Sequence, residues 1–137
     1  MSASEDLVDI QNVLALYCHL IDDREWDRLS DVYTPDSAYG AKEGALNQGL
    51  PAIVAYLASI PQPVLHLTSD FYINLSANGD RATGRAKWLS VHTDGSLVAG
   101  SYEQDVYART DVGWRIQYRT YTMAVPPRQW PPPQAAS

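Results

Sequence analysis

The stretch VLHLTSDFYINL, residues 64–75, is where the hydrophobic periodicity of this sequence changes from helical to strand-like. From this point onward apolar and polar residues alternate, as they do in half-buried strands. Three more alternating runs follow, over residues 82–92, 97–109 and 114–125, and the connectors between them are rich in Asn, Asp and Gly. Connectors of this kind form hairpin turns, so the sequence predicts four long antiparallel strands.

The residues before this stretch predict three helices. Apolar residues of the first helix recur at helical spacing up to Asp22 and form a buried stripe that includes Tyr17. The second is predicted over residues 26–33, because the residue before Pro35 disfavours helical geometry, and the third between Pro51 and Pro61. Residues 36–39 are predicted as a short strand, and residues 40–49 as a loop.

Three helices followed by an antiparallel sheet predict an α+β fold with the helices on one face of a curved sheet. We expect a single domain over residues 1–125. Residues 126–137 form a Pro-rich tail that cannot continue the sheet.

Strict alternation along residues 64–75 divides this strand into two faces. Leu65, Leu67, Phe71, Ile73 and Leu75 share the apolar face, and His66, Thr68, Asp70, Tyr72 and Asn74 share the polar one. We expect the apolar face to be buried against helices or a second subunit, and the polar face to form the wall of a pocket.

The composition excludes several classes of function. The chain has 137 residues, a formal net charge of −6 and no run of Lys or Arg, which argues against nucleic-acid and membrane-surface partners. No stretch approaches the ~20 apolar residues of a membrane span, and the N-terminus does not resemble a secretory signal, so we expect a cytoplasmic protein. The sequence predicts no metal site and no cofactor, because its His residues lack ligand spacing and its Gly residues are scattered.

Asp22 and His66 are the first candidates for chemistry. A carboxylate and an imidazole brought together in an apolar pocket would form a general acid/base pair, since the pKa of histidine lies near neutrality. Tyr17 lies on the buried stripe, five residues before Asp22, and can supply a hydroxyl. The alternatives are a hydrogen-bonded core histidine, a solvated carboxylate at the end of the helix and a core tyrosine.

The segment IDDREWDRLSDVYTPDSAY, residues 21–39, together with the closing GWRIQYRTYT, residues 113–122, resembles the SnoaL-like branch of the nuclear transport factor 2-like superfamily. The resemblance implies a cone-shaped, curved antiparallel sheet with three helices that enclose an apolar pocket. It also implies a homodimer. Members of the family include dehydratases, a dehydrochlorinase, isomerases, cyclases, epoxide hydrolases and binding proteins without catalytic activity.

The resemblance also assigns roles to residues of this chain. Asp22 corresponds to the essential Asp of the dehydratase and dehydrochlorinase members, Tyr17 to a catalytic Tyr, and His66 to the base. Five residues are predicted to contact the substrate: Tyr39, Asp70, Trp88, His92 and Arg119. For His92 the alternative is a surface position, and for Arg119 it is an ion-paired structural role. Asp70 departs from the family, in which many relatives have Asn.

These assignments predict a cofactor-independent acid/base enzyme that acts on a small hydrophobic cyclic or polyketide-like compound. A dehydratase-type lyase is the first choice, and isomerisation or cyclisation would need the same residues. The alternative is a small-molecule-binding or accessory domain without catalysis. An epoxide hydrolase ranks third, with Asn74 and Arg119 as its only candidate residues.

Overall fold

The computed structural model describes residues 2–124 of the chain. The helices are α1 (Ala3–Asp22), a short 3₁₀ helix (Trp26–Asp31) and α2 (Leu50–Ser59). The strands are β1 (Tyr33–Ala41), β2 (Asn47–Gln48), β3 (Leu65–Leu75), β4 (Arg81–Val91), β5 (Leu97–Thr110) and β6 (Gly113–Met123). The Pro-rich tail, predicted over residues 126–137, lies outside the described residues.

The six strands form one curved, unclosed sheet in the order β2-β1-β6-β5-β4-β3. All neighbours are antiparallel except β1 and β6, which run parallel. The helices pack against this sheet, with α1 on β3 and β6 and α2 on β1. The α+β class and the four long strands are therefore confirmed.

The N-terminal segments differ from the prediction in two places. The second helix is a single short 3₁₀ helix, because β1 already begins at Tyr33, two residues before Pro35. A residue that precedes proline favours extended geometry, so the chain leaves the helical region early. The predicted loop over residues 40–49 contains the two-residue strand β2, which pairs with Tyr39 and Ala38. The third helix begins at Leu50, one residue before Pro51, and ends at Ser59, two residues before Pro61, as the prolines predicted.

The predicted faces of β3 are wrong, because the strand contains a β-bulge. The pairing with β4 runs from Ser69 opposite Lys87 to Tyr72 opposite Arg85, so β3 has one extra residue between these pairs. Asp70 lies in the bulge with a φ of 56°, in the left-handed region. An extra residue reverses the alternation, since successive side chains point to opposite faces.

The bulge gives β3 two halves of opposite phase. His66 and Thr68 point to the same side as Phe71 and the two apolar residues that alternate after it, while Leu67 is exposed. The predicted apolar face is therefore buried only in the second half of the strand.

The core lies between α1, α2 and the concave face of the sheet. Ile10, Leu14, Leu29, Ile53 and Ile116 are among its fully buried side chains. A capping box between Ser2 and Glu5 fixes the start of α1. Within the described residues, no helix has the length and apolar character needed to cross a membrane.

Candidate active site

Asp22 and His66 form a hydrogen-bonded pair in the structure. Asp22 is the last residue of α1 and His66 the second of β3, so two separate elements supply the pair. The distance between Asp22 Oδ1 and His66 Nδ1 is 2.6 Å, and the backbone N–H of His66 donates to Asp22 Oδ2 over 3.0 Å. Their side chains are only 15% and 11% exposed, respectively. Both carboxylate oxygens therefore hold the same histidine.

This geometry determines which nitrogen of His66 can react. With ionised Asp22 as the acceptor, Nδ1 carries the proton, and Nε2 of a neutral ring holds the free lone pair. The same carboxylate stabilises the imidazolium that forms when Nε2 accepts a proton. The pair can therefore act as a general base with a fixed ring orientation.

His66 lines a cavity of about 250 Å³ between the concave face of the sheet and the end of α2. The cavity is bounded by aromatic and apolar side chains with a few polar groups, a composition typical of sites for small organic molecules. Its other lining residues are Tyr17, Tyr39, Leu57, Ile60, Pro61, Gln62, Pro63, Trp88, Ser90, His92, Val98, Tyr102, Tyr121 and Met123.

Tyr17 supplies a neutral hydroxyl to this cavity. Its ring contacts Tyr33 edge-on, with 5.8 Å between the centroids, and the residue is 2% exposed. Burial raises the pKa of Tyr17 well above its ordinary value, and the neighbouring tyrosines add to the effect. The phenol therefore stays protonated at neutral pH and can donate a hydrogen bond.

Three of the predicted substrate residues also lie in the cavity wall: Tyr39, Trp88 and His92. The Nε1 of Trp88 is buried and has no hydrogen-bond partner among the described residues. The structure thus brings Tyr17, His66, Tyr39, Trp88 and His92 around one cavity.

Arg119 does not reach the cavity. It is fully buried, and its Nε and Nη2 donate to the two carboxylate oxygens of Asp105 over 2.9 and 2.6 Å. Burial alone would lower the pKa of Arg119, but the Asp105 carboxylate more than offsets this and raises it well above its ordinary value. The guanidinium lies 3.7 Å from the ring centroid of Tyr102 and 5.2 Å from that of Tyr17. The structure therefore gives Arg119 the ion-paired arrangement, and Arg119 is not among the residues that line the cavity.

Asp70 is also separated from the cavity, because the bulge turns it outward. It lines an open depression of about 660 Å³ on the outer face of the sheet, together with Tyr72, Arg85, Lys87 and other polar residues. The prediction that Asp70 contacts a substrate in this cavity is therefore wrong.

Several residues that line the cavity were not predicted from the sequence. Ser90 lies two residues from both Trp88 and His92, and Tyr121 lies two residues after Arg119, so alternation from these predicted residues could have identified both. The Tyr121 hydroxyl lies 2.8 Å from that of Tyr56, and burial together with this hydrogen bond raises the pKa of Tyr121 to about 12.

Tyr102 and Asp105 could not have been placed in this way. The pairing between β5 and its neighbours shifts between these two residues, so alternation does not hold across them.

Nothing in residues 2–124 forms a metal site from side chains. No three His, Cys, Asp or Glu residues in this range lie close enough together to hold an ion.

Cys18 is buried, its Sγ lies 3.1 Å from Thr68 Oγ1, and burial raises the pKa of its thiol. A raised pKa disfavours the thiolate, which is the reactive form of cysteine.

Comparison with known proteins identifies relatives of this chain. The uncharacterized protein Rv2910c of Mycobacterium tuberculosis is 29% identical over 126 residues, which cover 85% of this chain and 84% of the relative. The solved structure of an Asp-to-Asn variant of Rv3472, an M. tuberculosis protein of unknown function, is 28% identical with a TM-score of 0.75. That match covers 95% of this chain and 76% of the other.

A type 2 LinA, a hexachlorocyclohexane dehydrochlorinase, has the same fold. Its TM-score is 0.69 over 85% of this chain and 83% of its own, and the identity is 18%. The model of the SnoaL-like domain family matches residues 2–120. The chain therefore belongs to the SnoaL-like family of the NTF2-like superfamily.

Proposed function

We propose that this protein is an acid/base lyase that eliminates a leaving group from a small hydrophobic cyclic or polyketide-like compound. The observation that carries the proposal is the pair formed by Asp22 and His66 at the wall of a mostly apolar cavity. A LinA dehydrochlorinase shares the fold, which makes elimination the first class of reaction to test.

In the proposed reaction, His66 Nε2 accepts a proton from a carbon beside an activating group. The electron pair of that C–H bond forms the new double bond, and the leaving group departs with its own bonding pair. Asp22 holds the imidazole and stabilises its charged form, while Tyr17 donates a hydrogen bond to the developing oxyanion or departing hydroxyl. Isomerisation and cyclisation would begin with the same proton removal.

The cavity supports a compact and largely apolar substrate. Its volume of about 250 Å³ lies just below the usual range for sites that hold drug-sized ligands. Trp88 and Tyr39 supply flat walls for a ring, and His92 supplies a second polar contact. We assign substrate contact to these three residues and no longer to Asp70 or Arg119.

Two other functions fit the cavity less well. A binding protein without catalysis would not need a histidine held by both oxygens of one carboxylate. An epoxide hydrolase would need Asn74 and Arg119 at the reacting atoms, but Asn74 is exposed and lines a hollow on the outer face, and the Arg119 guanidinium is bonded to Asp105.

Hydrogen–deuterium exchange tests the proposal even while the leaving group is unidentified. The protein is incubated in D₂O with a panel of cyclic ketones that carry a β-hydroxyl or a β-halogen. NMR then reports loss of the α-proton signal, and ultraviolet absorbance reports any conjugated double bond. The variants are Asp22→Asn and His66→Gln, and the control is Asp23→Asn, which changes the adjacent exposed carboxylate.

We expect His66→Gln to reduce exchange by about 10²–10⁴-fold, the usual contribution of a general base. Asp22→Asn should reduce it strongly, and Asp23→Asn should leave it unchanged. Ligand binding without exchange in the wild type would instead support the binding function. Equal exchange in wild type and His66→Gln would contradict the role of His66.

A further inference from the structure

Arg24 has an unusual backbone conformation for a side chain of its size. It follows the last turn of α1, two residues after Asp22, and its φ is 58°. Residues other than Gly rarely adopt this left-handed region, so the surrounding contacts must hold it there. Its backbone N–H donates to the carbonyl of Ile21 over 3.1 Å.

The guanidinium of Arg24 joins two segments of the chain. Its Nη1 donates to the carbonyls of Ile21 over 2.8 Å and Asp22 over 3.4 Å, at the end of α1. Its Nη2 donates to the carbonyls of Gln62 over 3.2 Å and Pro63 over 3.1 Å. The carbonyl end of a helix carries partial negative charge, which favours a cation at this position.

The second segment forms the rim of the cavity and leads directly into β3. Gln62 and Pro63 line the cavity, and His66 follows three residues after Pro63. Between residues 2 and 124, every hydrogen bond that joins residues 60–63 to the chain around the end of α1 comes from Arg24. The other hydrogen bonds of the rim reach α2 and β4 and do not constrain Asp22.

We propose that Arg24 is a positioning residue: it holds the end of α1 against the rim at the separation that lets Asp22 bond His66. The inference rests on the proposed function of that pair. Arg24 itself touches no reacting atom. Its planar fork places two nitrogens on two pairs of carbonyls, which the single nitrogen of a lysine cannot do.

The Nδ1 proton of His66 provides a direct readout. A proton shared between Nδ1 and the carboxylate over 2.6 Å resonates far downfield and exchanges slowly with water. The chain has three His residues, so the resonance of His66 is assigned by its absence from the spectrum of His66→Gln. The spectra are recorded on the intact, ¹⁵N-histidine-labelled protein as wild type, Arg24→Met and Arg24→Lys. The matched control is Arg28→Met, an exposed arginine of the same segment that pairs with Glu25 and Asp31.

We expect Arg24→Met to move the resonance upfield and to speed its exchange by about tenfold or more, because the pair opens more often. Arg24→Lys should restore part of the effect, and Arg28→Met should leave the signal unchanged. On any ketone that the wild type exchanges, Arg24→Met should lower the rate at saturation more than it raises KM.

A purely structural role of Arg24 would give a different result. Arg24→Met would then lower Tm but leave the position and the exchange rate of the Nδ1 resonance unchanged. This result would overturn the positioning role of Arg24 and leave the proposed function intact. If Arg24→Met does not fold, the same comparison between Arg24→Lys and wild type decides. Absence of the resonance from the wild type would overturn both proposals, because the pair would not form in solution.

Discussion

Asp105→Leu tests the physical description of the pair formed by Arg119 and Asp105. Both side chains have no exposed surface, and the carboxylate accepts two hydrogen bonds from Arg119 and a third from the Tyr107 hydroxyl over 2.6 Å. The substitution leaves a buried cation and a buried hydroxyl without their partner. Removing one member of a buried pair lowers the free energy of unfolding by about 3–5 kcal/mol. For a domain of this size this corresponds to roughly 10–20 °C in Tm.

The double variant Asp105→Leu/Arg119→Met separates the pair from the rest of the core. Apolar residues of similar volume often replace a buried ion pair at little net cost, so we expect the double variant to recover most of the lost stability. The control is Glu103→Gln, which removes an exposed partner of Lys42. Exposed pairs contribute about 0–1 kcal/mol.

Urea unfolding followed by circular dichroism gives the free energies of unfolding of the wild type, Asp105→Leu, Arg119→Met, the double variant and Glu103→Gln, provided that the m-values agree. If Asp105→Leu lowers the free energy of unfolding by no more than Glu103→Gln does, the buried pair contributes no more than an exposed one and the expectation is wrong. It also fails if the double variant is as unstable as the sum of the two single variants, because the partners would then be independent.

Three further predictions concern stability and assembly. Burial raises the pKa of Tyr121 to about 12, above the ordinary value near 10, so the neutral phenol favours the folded state. Its contribution to the free energy of unfolding is complete below pH ~10 and is lost as the pH rises toward 12, so the urea midpoint should fall less between pH 10 and 12 in Tyr121→Phe than in the wild type; equal falls would contradict it. Gly100→Ala places a Cβ in steric conflict with the carbonyl oxygen of Thr122 and 2.5 Å from the Trp88 ring, so the free energy of unfolding should fall by about 1–3 kcal/mol. An unchanged urea midpoint would contradict the packing. We expect a second copy of the chain to cover the outer face of β3, where Leu67 is 54% exposed. Light scattering should then give the mass of a dimer for the wild type and a lower mass for Leu67→Glu, and a wild-type monomer at every concentration would refute the dimer.

Local sequence rules predicted the elements of this fold well. Prolines determined where α2 begins and ends, and Asn, Asp and Gly at the turns determined the hairpins between the long strands. Helical spacing places Asp22, and not the adjacent Asp23, at the edge of the buried stripe of α1, and the structure gives Asp22 the hydrogen bonds to His66. These features depend on residues close in sequence, which is why they could be predicted.

The errors come from contacts between residues that are distant in sequence. Nothing near Asp70 marks it as a bulge, since only the pairing of β3 with β4 creates the extra residue. Arg119 was assigned to the substrate by the family resemblance, and its partner Asp105 belongs to another strand. Alternation shows which residues share a face of a strand. It cannot show which of these side chains form an ion pair with a residue of a neighbouring strand.

The bulge in β3 lets two functions vary independently along one strand. The half that contains His66 and Thr68 faces α1 and the cavity, and the half that contains Phe71 and Ile73 packs against the hydrophobic core. Substitutions that adapt the first half to another ligand leave the packing of the second half untouched. Deleting one residue at positions 69–70 would instead reverse the alternation of side chains in one half of the strand and turn either His66 or Phe71 toward solvent. The number of residues in this strand is therefore under stricter constraint than their identity.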